Sequence, residues 1–296
     1  MREYNGALPS PPDERDWHID RCLDMPSGTA SFPKSFKVSW LPKHKDQGYV
    51  NSCVSHVLAL IFECLYYKKY GRVVQMSTGF NYGCRWETTY KGEGLYMRDA
   101  IKTICKYGDV LASTWDNNLE VPEAIRVFEE AYPEIAKFAK KLIKGYVRLR
   151  TEEEAKAHLM KYDLPLFANT QMRYINPLSK STAYHAMAIV GWTRNDVFKC
   201  QNSWGILDCP NPEIDDFYKK FEEVWGVIPM EEIKFTDVSE TDWAYDDIEL
   251  CKDLGIVMGY EDNTLKLDNN ITRREQIVMI ARAIRAVKEM IAETAT

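Results

Sequence analysis

The residue best placed to do chemistry is Cys53, in the stretch Asp46-Gln47-Gly48-Tyr49-Val50-Asn51-Ser52-Cys53-Val54. Cys53 opens a run with apolar residues at Val54, Leu58, Ile61 and Leu65, the spacing of one helix face, so the thiol is expected at a helix N-terminus. The positive end of the helix dipole favours thiolate over thiol there. The Cys53 N–H is left free by the helix start, and Gln47 can bring a side-chain amide across the Gly48 turn. Two such donors make an oxyanion hole. A thiolate nucleophile also needs a base, and the base an orienting group. His185 and Asn202 are the side chains of the right types downstream, 132 and 149 residues after Cys53. A buried cysteine capping an ordinary core helix is the alternative reading of Cys53 taken alone.

Each of these side chains has an element to position it. Phe36–Trp40 alternates as a strand leading into the Gln47 turn, and the Cys53 helix should run to about Tyr70 and stop at Gly71. A second helix is expected over Leu95–Tyr107, ended by Gly108. The pattern is helical again over Val121–Leu142, and Thr151-Glu152-Glu153-Glu154 opens a further helix with acidic residues in its first turn. Between the first two helices Gly92-Glu93-Gly94 forms a corner, where a bound peptide could approach the backbone or which is a plain loop. After Asp163 the period becomes strand-like: Leu164–Ala168, His185–Trp192, and Val197–Gln201, which ends at Asn202-Ser203-Trp204-Gly205. A hairpin turning near Thr193–Asp196 would set His185 and Asn202 at matching ends of adjacent strands. Trp225–Pro229 reads as the last strand of this part.

The blocks Gln47–Cys53, His185-Ala186-Met187 and Asn202-Ser203-Trp204-Gly205 resemble the signature blocks of papain-family cysteine peptidases, in which the His and Asn follow the Cys by roughly 130–150 residues. The resemblance covers about residues 33 to 230. It implies an α+β, two-lobe fold, with a helical lobe carrying Cys53, a β-rich lobe carrying His185 and Asn202, and a peptide or protein substrate in the cleft between. By the same resemblance Cys53 is the nucleophile, His185 the general acid/base, Asn202 its orienter and Gln47 an oxyanion donor. Trp204 would shield the His185–Asn202 hydrogen bond, while Gly92 and Gly94, from the corner noted above, stay candidate substrate contacts on the residues alone. Four departures concern the cleft rather than the triad. Val50 stands where the family usually has a Cys, so a disulfide to a residue such as Cys84 cannot form, Asn51 replaces a Gly, and Val54 replaces an aromatic. Thr182-Ala183-Tyr184 precedes His185 in place of glycines. They suit a divergent microbial branch.

Composition shifts after Pro229. Phe235-Thr236-Asp237-Val238, Trp243-Ala244-Tyr245, Gly255 through Asp262 and Ile271-Thr272-Arg273-Arg274-Glu275 frame two helices, the second opened by a Thr272/Glu275 capping box. This segment resembles an S-layer homology (SLH) repeat across about residues 235 to 285. The resemblance implies a small all-α module that binds secondary cell-wall polysaccharide, with Trp243, Arg273 and Arg274 as candidate glycan contacts; the two arginines could equally only solvate a helix start. SLH repeats usually come in threes and one is present, which implies a homotrimer.

The domains expected are therefore 1–34, a Pro-rich N-terminal strap or short pro-segment; 35–232, the peptidase; and 233–296, the SLH module. The first is too short and Pro-rich for a helical inhibitory domain, so a strap running extended over the surface is the expected form. With 45% hydrophobic and 28% charged residues the chain is an ordinary globular one. A net charge of -6 without a long basic run argues against nucleic acid, and no stretch approaches the roughly 18 apolar residues of a membrane insertion. The chain begins with a polar segment and no signal-peptide core; the SLH resemblance implies a bacterial envelope or outer surface, or a phage, as the setting. The eight cysteines show no CxxC pair and the five histidines no zinc spacing, so no metal and no cofactor is expected. Most cysteines read as free thiols, with a Cys200–Cys209 bridge as the open alternative. The function expected is that of a thiol endopeptidase tethered to the envelope. The alternatives are a wall lysin cutting peptidoglycan cross-links, an acyltransferase, or a catalytically silent wall-binding protein.

Overall fold

The computed structural model describes residues 6–13, 16, 31–83, 92–115, 130, 134–135, 138–176, 179–205, 212–230, 235–260, 262 and 264–294. It forms two units, 1–230 and 231–296. In the first unit the elements in order are β1 (Ala7–Leu8), β2 (Phe36–Lys37), α1 (Cys53–Tyr70), α2 (Thr78–Gly83), β3 (Leu95–Tyr96), α3 (Met97–Tyr107), β4 (Ile143–Leu149), α4 (Glu152–Tyr162), β5 (Leu166–Gln171), α5 (Met172–Ile175), β6 (Tyr184–Trp192), β7 (Phe198–Gln201), β8 (Glu213–Ile214), α6 (Phe217–Lys220) and β9 (Phe221–Pro229).

The helix α1 begins at Cys53 and ends where Gly71 turns left-handed and donates its N–H to the Tyr67 carbonyl. Its first fourteen residues are all buried, because one side packs on α2 and α3 and the other on the sheet. The sheet runs β4-β9-β5-β6-β7-β8, with β2 added to β6. Side chains alternate across it as pleating requires. Ala186, Ala188 and Val190 of β6 join the core under α1, whereas Met187 and Ile189 join a second core behind the sheet with Leu159, Phe198, Phe217 and Phe221. A sheet buried on both faces explains the unbroken apolar run of β6. The packing is close: on Gly226 of β9 a Cβ would stand 2.4 Å from His158 Nε2 of α4.

Three expectations fail in detail. The strand expected over Phe36–Trp40 is cut short: Phe36 and Lys37 pair with β6 and Val38 donates its N–H to the Val190 carbonyl at 2.9 Å, but Ser39 donates its N–H to the Asp163 carboxylate and Trp40 stacks on Tyr67 at 4.3 Å. Most of the helix expected over Val121–Leu142 lies outside the described residues, but its end is not helical: Lys140 exchanges backbone hydrogen bonds with Asp109. β4 follows at once, a strand that the sequence pattern does not suggest; it pairs antiparallel with β9, and its Lys144, Gly145 and Arg148 break the strand pattern. The start of the N-terminal segment does not lie over the surface, where the strap is expected. Gly6 and Ala7 are buried and β1 pairs parallel with β3. Residues this small fit where a larger side chain would force the segment outward. Its later part, with Pro26 and Gly28, lies outside the described residues, as do Cys22, Cys84 and Cys209, and with Cys209 the Cys200–Cys209 pair.

The second unit holds α7 (Tyr245–Asp253) and α8 (Arg273–Thr294). The Asp237 carboxylate accepts from the backbone N–H groups of Leu265 and Lys266, tying the start of the unit to the loop between the helices. Thr272 and Glu275 form the expected capping box at the start of α8.

Candidate active site

Antiparallel pairing of β6 with β7 brings the start of one strand to the end of the other. His185 sits at the β6 start and Asn202 just past β7. Their side chains meet, with His185 Nε2 2.7 Å from Asn202 Oδ1. The same Oδ1 accepts the Ser203 N–H at 2.7 Å, so it is the oxygen, and His185 must carry its proton on Nε2. His185 Nδ1 is thereby left as the acceptor, buried and without a partner among the described residues. The Trp204 ring lies 4.3 Å from the His185 ring, covering it.

The helix α1 delivers Cys53 to the same place. Its Sγ receives the Ala186 N–H at 3.5 Å, one residue from His185. The Gln47 turn is tied to the strand end beyond Asn202: Gln47 N–H donates to the Ser203 carbonyl, and Gln47 Oε1 accepts from Ser203 Oγ at 2.6 Å. One amide hydrogen of Gln47 is donated to the Val50 carbonyl at 2.7 Å. Beneath this turn the buried Glu63 carboxylate pairs with Lys45 and accepts the Met76 N–H.

The electrostatics differ from the sequence expectation. A helix N-terminus should lower the Cys53 pKa, yet burial pushes it up to about 12, against a smaller lowering by the Ala186 N–H. Burial also pulls His185 down to about 4, opposed by the Asn202 hydrogen bond. Desolvation penalises both charged forms and outweighs the dipole. The thiol and imidazole are thus a neutral pair in this form.

The N-terminal segment contributes to the burial of Cys53. A Cβ on Gly6 would stand 2.6 Å from Cys53 Sγ and 2.9 Å from the Asn51 carbonyl oxygen. The Gly6 carbonyl accepts the Leu95 N–H at 3.0 Å. Four residues on, Ser10 gives both its N–H and its hydroxyl to the Glu223 carboxylate at 3.0 Å. The predicted corner residues Gly92 and Gly94 flank this path, but the segment pairs one and two residues further on, at Leu95 and Tyr96. Sequence patterning does not single out Gly6, Ser10, Leu95 or Glu223. The only signal is the smallness of Gly6-Ala7 ahead of a Pro-Ser-Pro run.

In the second unit Trp243 is 93% exposed, and Arg273 and Arg274 are exposed at the start of α8. Arg274 lines a groove of about 640 Å³ with Asp247, Cys251, Met258, Tyr260 and Ile271. Trp243 and Arg273 lie outside that lining, so the three candidate glycan contacts are not gathered in it. Among the described residues no group of His, Cys, Asp and Glu is arranged to hold a metal, and no helix is long and apolar enough to cross a membrane.

Residues 234–275 match the S-layer homology domain. Among solved structures, xylellain, a cysteine protease from Xylella fastidiosa, superposes with a TM-score of 0.62 at 17% identity, over 78% of this chain and 97% of that one. Digestive procathepsin L 3 of the Tenebrio molitor larval midgut gives 0.54 at 16% identity, over 68% of this chain and 71% of that one. The Carica candamarcensis cysteine protease CMS1MS2 gives 0.51 at 16% identity, over 67% and 100%. A comparison with curated proteins finds no match. The chain thus has the α+β fold of the papain-like cysteine proteases and carries an S-layer homology domain at its C-terminal side.

Proposed function

We propose that the first unit is a thiol endopeptidase held latent by its own N-terminal segment, and that the SLH domain anchors it at a bacterial cell surface. The observation that carries the peptidase reading is the unpartnered Nδ1 of His185, with its tautomer set by Asn202, on the strand that gives the Ala186 N–H to Cys53 Sγ. In the open cleft Cys53 passes its proton to His185 Nδ1 and its sulfur attacks the scissile carbonyl carbon. The Cys53 N–H and the Gln47 side-chain amide hold the oxyanion. The Nδ1 proton goes to the departing amine, and water activated by the same nitrogen then hydrolyses the thioester. Asn202 keeps the imidazolium oriented throughout, and Trp204 keeps water from that hydrogen bond.

Latency follows from the segment over Cys53, which fills the space a scissile bond needs and leaves both reacting groups neutral. The test is hydrolysis of casein and of purified peptidoglycan, with epoxysuccinyl labelling of Cys53 at about pH 6. The Carica candamarcensis neighbour is described in complex with such a reagent, E-64. A single adduct on Cys53, lost in His185→Ala, with cleavage of casein, supports the reading. Cleavage of peptidoglycan alone would make the substrate wall peptide, and no adduct on an opened cleft would refute catalysis.

The SLH domain suggests anchoring to secondary cell-wall polysaccharide, with Arg274 in the groove as the contact for an acidic sugar, since a guanidinium fork matches a carboxylate. Loss of wall binding in Arg274→Ala would support this. The module is also read as trimeric. Along α8, Ile277, Ile280, Ile284, Val287 and Ile291 are each more than half exposed and recur at steps of three and four residues. That spacing suits a coiled-coil seam, and isoleucine at both seam positions would favour three or four strands over two.

A further inference from the structure

The N-terminal segment leaves an imprint of what the cleft accepts. Ten residues after Gly6, Asp16 is 7% exposed, with its carboxylate 2.6 Å from Arg98 Nη2 and 3.6 Å from Arg148 Nη1. Arg98 follows the strand β3 that pairs with the segment, and its backbone N–H also holds Ser10 Oγ at 2.9 Å. Arg148 comes from β4. Both guanidinium groups lie over the Trp225 ring, at 5.8 and 5.7 Å, so an aromatic floor fixes the pair. Arg98 Nε is buried and has no partner among the described residues, leaving a donor of the fork unused. The other charge at hand, Glu223, stands 4.0 Å from Arg148 Nη2. With the segment in place, two arginines face two carboxylates. Withdrawing Asp16 leaves two arginines, one carboxylate and a positive subsite.

We propose that Arg98 and Arg148, held on Trp225, form an anion-accepting subsite of the cleft that Asp16 fills in the latent chain and a carboxylate-bearing substrate fills in the open one. The ligand class is a peptide carrying an acidic side chain or a free carboxylate. Ser10 lies within about 14 Å of Gly6 along an extended chain, and Arg98 holds both Ser10 and Asp16, so the acidic group sits a few residues from the bond over Cys53. A carboxylate suits this site better than a neutral amide because charge-assisted, fork-shaped contacts are roughly twice as strong as neutral ones. The proposal rests on the peptidase reading for its substrate but not for its binding site.

The test uses the full chain carrying Gly6→Val, which drives the segment off Cys53, and Asp16→Asn, which takes its carboxylate away from the two arginines. Iodoacetamide labelling of Cys53 at pH 8 reports that the cleft has opened. Fluorescein-labelled Gly/Ala decapeptides bearing one Glu at successive positions, each with a Gln twin, are then titrated by anisotropy. The expected result is an open cleft and one register at which the Glu peptide binds at least tenfold more tightly than its twin. Arg98→Gln and Arg148→Gln, added singly, should each bring that ratio below threefold; if either fails to fold, the twin comparison in the parent chain decides alone. Equal affinities at every register overturn the proposal. So does a cleft that stays closed to iodoacetamide, because the segment would then not be what occupies it. Hydrolysis is scored separately: twin discrimination without turnover keeps the subsite and removes the peptidase reading.

Discussion

Gly6 stands so close over Cys53 that a single added methyl carbon would lie 2.6 Å from the sulfur. Only glycine fits there without moving something, and the neighbouring Asn51 carbonyl, at 2.9 Å from the same point, is backbone that cannot swing aside. Gly6→Val should therefore expel the segment from the cleft. We expect labelling of Cys53 and any peptide hydrolysis to rise at least tenfold in Gly6→Val, and as much in a chain lacking residues 1–30. Equal rates in all three chains would end the idea that the segment is inhibitory.

The charge state of the pair should change with the same movement. With the cleft closed, burial holds Cys53 near a pKa of about 12 and His185 near about 4, so between those values neither is charged. Both shifts disfavour the charged form, and both shrink when water returns. Alkylation of the closed chain should thus stay slow through neutral pH and rise only in strong alkali. In the Gly6→Val chain the rate should reach its plateau at least two pH units lower. A pH profile of iodoacetamide labelling reads both. Superimposed profiles would mean that the segment does not control the thiol.

The features legible in the amino-acid sequence are those of local chemistry. A glutamine turn, a small residue and a cysteine opening a helix locate the nucleophile, because a helix start leaves few choices of backbone geometry. The hairpin that unites His185 with Asn202 follows from two short apolar strands separated by a tight turn. Features that depend on distant pairing stay hidden. β4 sits beside β9, some eighty residues away in the chain, and its lysine and arginine interrupt the apolar alternation by which a short window reveals a strand. The path of Gly6 through the cleft is hidden for the same reason, since its partners are Cys53, Leu95 and Asn51. The Cys53 pKa runs against the sequence expectation because a helix dipole is a local property and desolvation a tertiary one.

Acid should destabilise the first unit through His158. This side chain is fully buried, its Nε2 donates to the Val227 carbonyl at 3.0 Å, and burial lowers its pKa from 6.5 to about 3. A histidine with a depressed folded pKa takes up its proton later in the folded chain than in the unfolded one. Unfolding is therefore favoured as pH falls below 6.5, by about 1.4 kcal/mol per pH unit for each such group, until the folded pKa is reached. His158→Gln keeps a donor for Val227 and removes the titration. Chemical denaturation should show the wild type losing stability relative to His158→Gln between pH 6 and 4. Parallel curves would mean that His158 is not held neutral by the fold.

The α8 seam gives a prediction about assembly that is independent of catalysis. Ile277, Ile280, Ile284, Val287 and Ile291 are 66, 53, 53, 53 and 63% exposed, a set too apolar and too regular to be left in water. The helix meets its own unit by another face, where Ala286 is buried and Arg282 donates to the Ile256 carbonyl at 3.1 Å. Pairing through the Ile280 and Ile284 face would therefore leave these contacts in place. Sedimentation at micromolar concentration should give a trimer for the full chain and a monomer for Ile280→Asp/Ile284→Asp, in which two charges per chain would be buried at the seam. The variant should keep its helical circular dichroism and the labelling behaviour of Cys53, since neither depends on the seam. A wild-type monomer at that concentration would remove the trimer, and a dimer insensitive to both substitutions would place the interface elsewhere.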